Sequence, residues 1–247
     1  MKNLIKYSAV CALVGAALNI NAVTVTLDTS TYSDATTFMS WSQSAYTAAN
    51  YPANGGSGAG GWSLGALPAN ISGGQLTLSP NVNTYADNPG VTYWVNGNGS
   101  GANKMTGAVY TQTTGGALGV STGLLTFTYD VLANTLDGSA PYGGYTANAF
   151  IKVFTPGFGY FFGLSSAALT PGVGSVSFDL GSLTDGNVAN VVQYGFELVG
   201  PNANPATVAS LGLVTIAAAP VPEPSTLVLA GMGGMALLTC FRRRSNK

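Results

Sequence analysis

The run Gly119-Val120-Ser121-Thr122-Gly123 has the spacing of a nucleophile elbow. There a serine stands on a sharp strand-to-helix turn and a histidine removes its proton. The chain contains no histidine, so the run reads as a glycine-rich turn. Its two cysteines, Cys11 and Cys240, lie in apolar segments at the two ends. The central part therefore has no thiol for nucleophilic catalysis and no His/Cys set for zinc. The glycine-rich stretch 96–104 lacks the Gly-Lys-Ser/Thr of a phosphate loop, and no Asp-x-Asp-x-Asp-Gly calcium loop occurs. No metal and no cofactor is expected.

Carboxylates remain: Asp28, Asp34, Asp87, Asp130, Asp137, Asp179, Asp185 and Glu197 between the two ends. A close pair could hydrolyse a glycosidic bond, one member as acid and the other as base or nucleophile. Glu197 is the only glutamate in that stretch, and spacing selects no pair, so no catalytic residue is assigned. The expectation is a protein that is not an enzyme, with glycoside hydrolase or lyase the one enzyme class left open. A second chemistry is ring stacking. Trp41, Trp62, Tyr93, Trp94, Tyr142, Tyr145 and Tyr160 fall partly in expected loops. Exposed rings can lie against the C–H faces of sugars while Asp, Asn and Thr bond the hydroxyls. Trp62, Trp94, Tyr142 and Tyr145 are the candidate glycan contacts.

The elements that must hold these groups read as strands. Short alternating runs punctuated by Gly, Pro, Asn and Asp give strands at 23–27, 75–79, 91–95, 108–112, 124–132, 149–154, 158–162, 175–180, 191–199 and 209–217. One window, 33–49, has Phe38, Trp41 and Ala45 at roughly helical spacing. Stretches 54–61 and 96–101 read as surface loops, and Thr155-Pro156-Gly157 as a hairpin turn. Alternation points Leu125, Phe127, Tyr129 and Val131 to one face, with Thr126, Thr128 and Asp130 on the other. Tyr194, Phe196 and Leu198 likewise oppose Gly195 and Glu197. The fold class is all-β, an antiparallel β-sandwich or jelly roll.

Composition bounds what such a domain can bind. Charged residues are 7% of 247, against about 25% in an ordinary soluble protein. Hydrophobic residues are 46%, too many for a disordered chain. Between the ends only Lys104 and Lys152 oppose eight acids, a net charge of −6. Such a domain cannot neutralise a phosphate backbone, which excludes nucleic acid as a partner.

The ends carry addresses. Lys2 and Lys6 precede an apolar run from Tyr7 to Leu18, and Asn19 to Ala22 forms a polar segment ending in a small residue. This is a secretory signal over 1–22, cut by signal peptidase after Ala22. The other end, 220–247, holds Val221-Pro222-Glu223-Pro224-Ser225 (motif 221–225), an apolar segment (226–241) and a basic tail (242–247). That segment is a transmembrane helix, short for a bilayer core of about 30 Å, so that Arg242 must snorkel. Arg242, Arg243 and Arg244 stop transfer and stay cytoplasmic. Both prolines lack an N–H and hold Glu223 in extended backbone outside the membrane.

Motif, apolar helix and arginine cluster, in that order, resemble the PEP-CTERM sorting signal. The resemblance implies processing by exosortase, with Pro222, Glu223 and Pro224 as the sorting motif. It implies a Gram-negative bacterium that makes extracellular polysaccharide, and an inner-membrane precursor that becomes a surface or matrix protein. It leaves the ectodomain, 23–219, undescribed. The make-up of that ectodomain resembles carbohydrate-binding jelly rolls, with Val191 to Gly200 in the manner of their final strands. Two functions follow as expectations: a structural protein among exopolysaccharide, or a carbohydrate-binding module.

Overall fold

A computed structural model describes residues 22–33, 36–42, 57–83, 85, 95, 99, 101, 103–120, 123–139, 144–183 and 188–220. Among these the strands are, in order, β1 (Val23–Thr26), β2 (Thr37–Ser42), β3 (Ser57–Gly60), β4 (Ala69–Ser72), β5 (Gln75–Leu78), β6 (Lys104–Thr114), β7 (Leu124–Asn134), β8 (Thr146–Phe154), β9 (Phe161–Ala168), β10 (Gly172–Asp179), β11 (Val191–Pro201) and β12 (Val214–Ala217). They form a sandwich of two sheets. The first holds β4, β5, β12, β7, β1 and β10; the second runs β3-β2-β6-β11-β8-β9.

The alternating apolar residues close the sandwich. Leu125, Phe127, Tyr129 and Val131 of β7 are all buried, as alternation requires. They meet Tyr194, Phe196 and Leu198 of β11 from the other sheet. The Phe127 and Phe196 ring centroids are 5.2 Å apart, and Tyr129 meets Phe196 edge-on at 5.4 Å. Such offset and edge contacts suit the ring quadrupoles. Leu76, Leu78, Val214 and Ile216 extend the same core beneath β5 and β12.

The first and last strands meet on β7. β1 pairs in parallel with Leu125 to Thr128, and β12 pairs antiparallel with Asp130 to Asn134, so both occupy one edge of β7. β10 covers the other edge. β1 is held by the Leu27 N–H, which donates to the Thr128 carbonyl at 3.3 Å. The Thr128 hydroxyl donates in turn to the Val25 carbonyl. The hairpin β4–β5 turns through Gly73 and Gly74, with φ of 58° and 75°. Two consecutive positive φ values define a turn that glycine alone makes without strain.

Several sequence expectations change. The 33–49 window is not helical where it is described: Thr37–Ser42 is strand β2, which pairs with β6 and β3. Thr37 and Met39 are both buried, an alternation that outcompetes the helical spacing. The expected loop 54–61 contains β3, and β4 was not anticipated. The expected strand 209–217 is strand only at Val214–Ala217, after a 3-10 turn at Val208–Leu211. Of 91–95 only Val95 is described, in an isolated bridge with Gly101. No helix of the described residues is long and apolar enough to cross a membrane. The signal helix and the transmembrane helix expected at 226–241 lie outside the described residues.

Candidate functional site

The outward faces of the two sheets differ in kind. On the first, Thr24, Thr126 and Ser177 share one row across β1, β7 and β10, and Thr26, Thr128 and Ser175 share the next. These two rows are hydroxyl and carry no ring; Thr126 and Ser177 bond each other at 2.9 Å. On the second sheet, register aligns Gln112, Gln193 and Lys152 in one row across β6, β11 and β8. Tyr110, Gly195 and Phe150 form the next, and Ala108, Glu197 and Asn148 the third. Phe38 of β2 stands beside Ala108.

Gly195 explains how two rings fit in the middle row. A Cβ there would strike the Val109 carbonyl oxygen and come within 2.5 Å of Tyr110 Cα. Over the vacant place the Tyr110 and Phe150 rings approach to 6.4 Å, with planes inclined at 59°. Tyr110, Phe150 and Ala108 thus form a second small apolar cluster, apart from the main core. Burial pushes the Tyr110 phenol up, moderated by a hydrogen bond with Gln193. Gln193 Nε2 also donates to Gln112 Oε1 at 2.8 Å.

Phe150 is fully buried although its strand position faces outward. The Lys152 ammonium lies 4.1 Å from its ring centroid and 3.2 Å from Glu197 Oε2. The lysine stem therefore runs back over Phe150 to reach a carboxylate two rows away. Cation–π and ionic attraction favour the same position, and the stem covers the ring.

The β8–β9 turn supplies one wall. Thr155 N–H donates to the Tyr160 carbonyl at 2.9 Å, and the Thr155 hydroxyl accepts from Tyr160 N–H at 2.8 Å. Between them Gly157 and Phe158 take φ of 72° and 61°. Gly157 does so freely; for a phenylalanine the left-handed region is an outlier that concentrates at functional positions. The result is a Phe158 ring edge-on to Phe154 at 5.3 Å and half exposed.

Phe38, Tyr110, Phe154 and Phe158, with Ala108, Gln112, Gln193 and Lys152, enclose a cleft of about 430 Å³. It crosses β2, β6, β11 and β8, about 14 Å at the usual strand spacing. Four of its eight described lining residues are aromatic, and the only charged one among them is Lys152.

Among the described residues the acids do not gather. Asp28 accepts from Ser30, Asp137 from Ser139 and Asp179 from Gly181, each closing its own turn. Ser30 holds the Asp28 carboxyl below the ordinary range. Asp130 and Asp179 stand at opposite ends of the β7–β10 ladder, and Glu197 lies on the other sheet. Among the described residues no three of His, Cys, Asp and Glu come together to hold a metal.

Of the four candidate glycan contacts only Trp62 and Tyr145 are described, and neither lines this cleft. Tyr145 is 5% exposed, packed so closely on Gly200 that a Cβ would strike its ring. Burial first, and then the charge of Asp137, push its phenol up to about 12. It is a core residue and offers no ring face to a sugar, which corrects that expectation. Trp62 is half-buried against the main core, its carbonyl accepting from the Thr37 hydroxyl. Tyr160 is 63% exposed at the β8–β9 turn. Trp94 and Tyr142 lie outside the described residues, as do Pro222, Glu223, Pro224, Arg242, Arg243 and Arg244. Ala22 is exposed and directly precedes β1. Rings in loops are the ones a sequence marks as exposed, whereas three of the four cleft rings, Phe38, Tyr110 and Phe154, stand on strands. Their signal lay in Ala108-Val109-Tyr110 and Ala149-Phe150-Ile151, unbroken apolar runs that mark strands covered on both faces.

Residues 220–244 match the PEP-CTERM protein-sorting motif. The motif implies an exported protein, transiently anchored in the membrane and processed by exosortase to the cell surface. No curated protein matches the chain in sequence. Among solved structures it weakly resembles carbohydrate-binding modules of the β-sandwich superfamily that were studied for promiscuous specificity. The TM-score is 0.29 at 12% identity, over 68% of each chain.

Proposed function

We propose that the mature ectodomain is a non-catalytic surface or matrix protein that holds polysaccharide in the cleft across its second sheet. The observation that carries this reading is the cleft itself: four rings around a Gln112–Gln193 amide pair, on the outward face of the second sheet. Rings supply apolar faces for sugar C–H groups, and the amides supply a donor and acceptors for hydroxyls. The domain spans 23–219, freed by signal peptidase after Ala22 and by exosortase acting through the sorting motif Pro222, Glu223 and Pro224. It is delivered from the inner membrane to the exopolysaccharide of a Gram-negative cell. Carboxylates committed to separate turns support a role without hydrolysis. The test is retention of the full chain, in detergent, on immobilised host exopolysaccharide. Phe158→Ala, which removes an exposed ring, is expected to lower retention about tenfold, by stacking losses of about 1–1.5 kcal/mol. Unchanged retention by the variant, or shortening of the polymer by the wild-type protein, is the contrary result.

A further inference from the structure

The cleft's one cation has its charge already answered. Lys152 lines the cleft, while Glu197, two rows along the same face, takes its ammonium at 3.2 Å. The lysine is fixed there from below as well, over the Phe150 ring. The remaining lining is apolar rings and neutral amides. Among the described lining residues an acidic chain entering the cleft meets no unpaired cation, and its carboxylates approach Glu197 and a domain of net charge −6. A neutral chain meets rings and amides with no ion to desolvate. Pulling Lys152 towards an incoming carboxylate would leave Glu197, whose side chain is only 14% exposed, without its partner.

We infer that the Lys152–Glu197 pair makes the cleft selective for neutral over uronic-acid-rich polysaccharide. The selectivity rests on the polysaccharide reading of the cleft given above. Glu197 acts here as a positioning residue: it neutralises and parks the lysine and does not touch the ligand.

Glu197→Gln tests this, because glutamine keeps the shape and an acceptor oxygen while releasing the charge of Lys152. Binding of a soluble neutral β-glucan and of a polyuronate of matched length is measured for the full chain in detergent, at low and high salt. The wild-type protein is expected to hold the glucan and to hold the polyuronate at least tenfold less tightly. In Glu197→Gln the ratio of polyuronate to glucan affinity is expected to rise about tenfold, the scale of one hydrogen bond to a charged group. The rise should vanish at 1 M salt, where screening shortens to about 3 Å. The double variant Glu197→Gln with Lys152→Gln should return the ratio to the wild-type value. Equal affinities in the wild type, or a ratio that the substitution leaves unchanged, would overturn the selectivity alone. If neither polymer binds, or Phe158→Ala binds both as the wild type does, the cleft reading falls and the selectivity with it.

Discussion

A glycine and a strained phenylalanine shape the cleft. Gly195 leaves the gap over which Tyr110 and Phe150 close, and a Cβ at that point meets backbone, which cannot swing aside. Gly195→Ala is therefore expected to lower unfolding free energy by about 1–3 kcal/mol, the usual cost of overpacking, measured by urea denaturation. Phe158 behaves in the opposite sense. Its φ of 61° costs about 1–2 kcal/mol for an L-residue, which glycine would not incur. Its ring is half exposed, so little burial is lost when it goes. Phe158→Gly is expected to keep or slightly raise the melting temperature while weakening glycan retention. A drop of more than about 4 °C, some 1 kcal/mol in a domain this size, would show that the ring is there for packing.

At the level of strands, legibility followed alternation. β7 alternates cleanly in burial and 194–198 of β11 alternates in sequence, so their inward and outward sets were readable from the one apolar face of each. β2 was unreadable for the reason that makes it part of the site. It buries Met39 in the core and turns Phe38 to the cleft, so two apolar faces blur a period of two into something near helical. β3 consists of Ser57, Gly58, Ala59 and Gly60, which have little strand propensity of their own; pairing with β2 decides it. The hairpin turn at Thr155-Pro156-Gly157 was legible from its residues. That it would aim Phe158 over a cleft was not, because the φ of Phe158 is set by the Thr155–Tyr160 hydrogen bonds that close the turn.

For the whole molecule, charge and address set the behaviour. With no histidine, no side chain has an ordinary pKa between about 5 and 8, so melting temperature is expected to stay nearly flat from pH 5.5 to 8. The limits lie outside that window. Tyr145 is pushed up to about 12, and Tyr32 is raised further by burial. The folded state thus holds those protons more tightly than the unfolded chain, whose phenols titrate near 10. Their contribution is complete below pH 10 and is lost as pH rises towards and past 12. Asp28 has the reverse sign: its depressed carboxyl favours the fold above about pH 4 and stops doing so as pH falls. A thermal-melt series from pH 3 to 12 reads both limbs, and a clear step near pH 6 would contradict the assignment of the acids. The sorting motif carries its own test. Glu223→Ala is expected to leave an uncleaved precursor in the inner membrane, and mass spectrometry of the mature C-terminus decides it. Native protein that retains Arg242, Arg243 and Arg244 would mark a permanent anchor instead. The central claim, that polysaccharide lies across the second sheet, is tested most directly by amide chemical-shift mapping during titration with a neutral oligosaccharide. Shifts are predicted at Gln112, Gln193, Gly195 and Phe158, with the Thr24, Thr126 and Ser177 row unmoved. Shifts confined to the hydroxyl face, or none at millimolar ligand, would contradict the account.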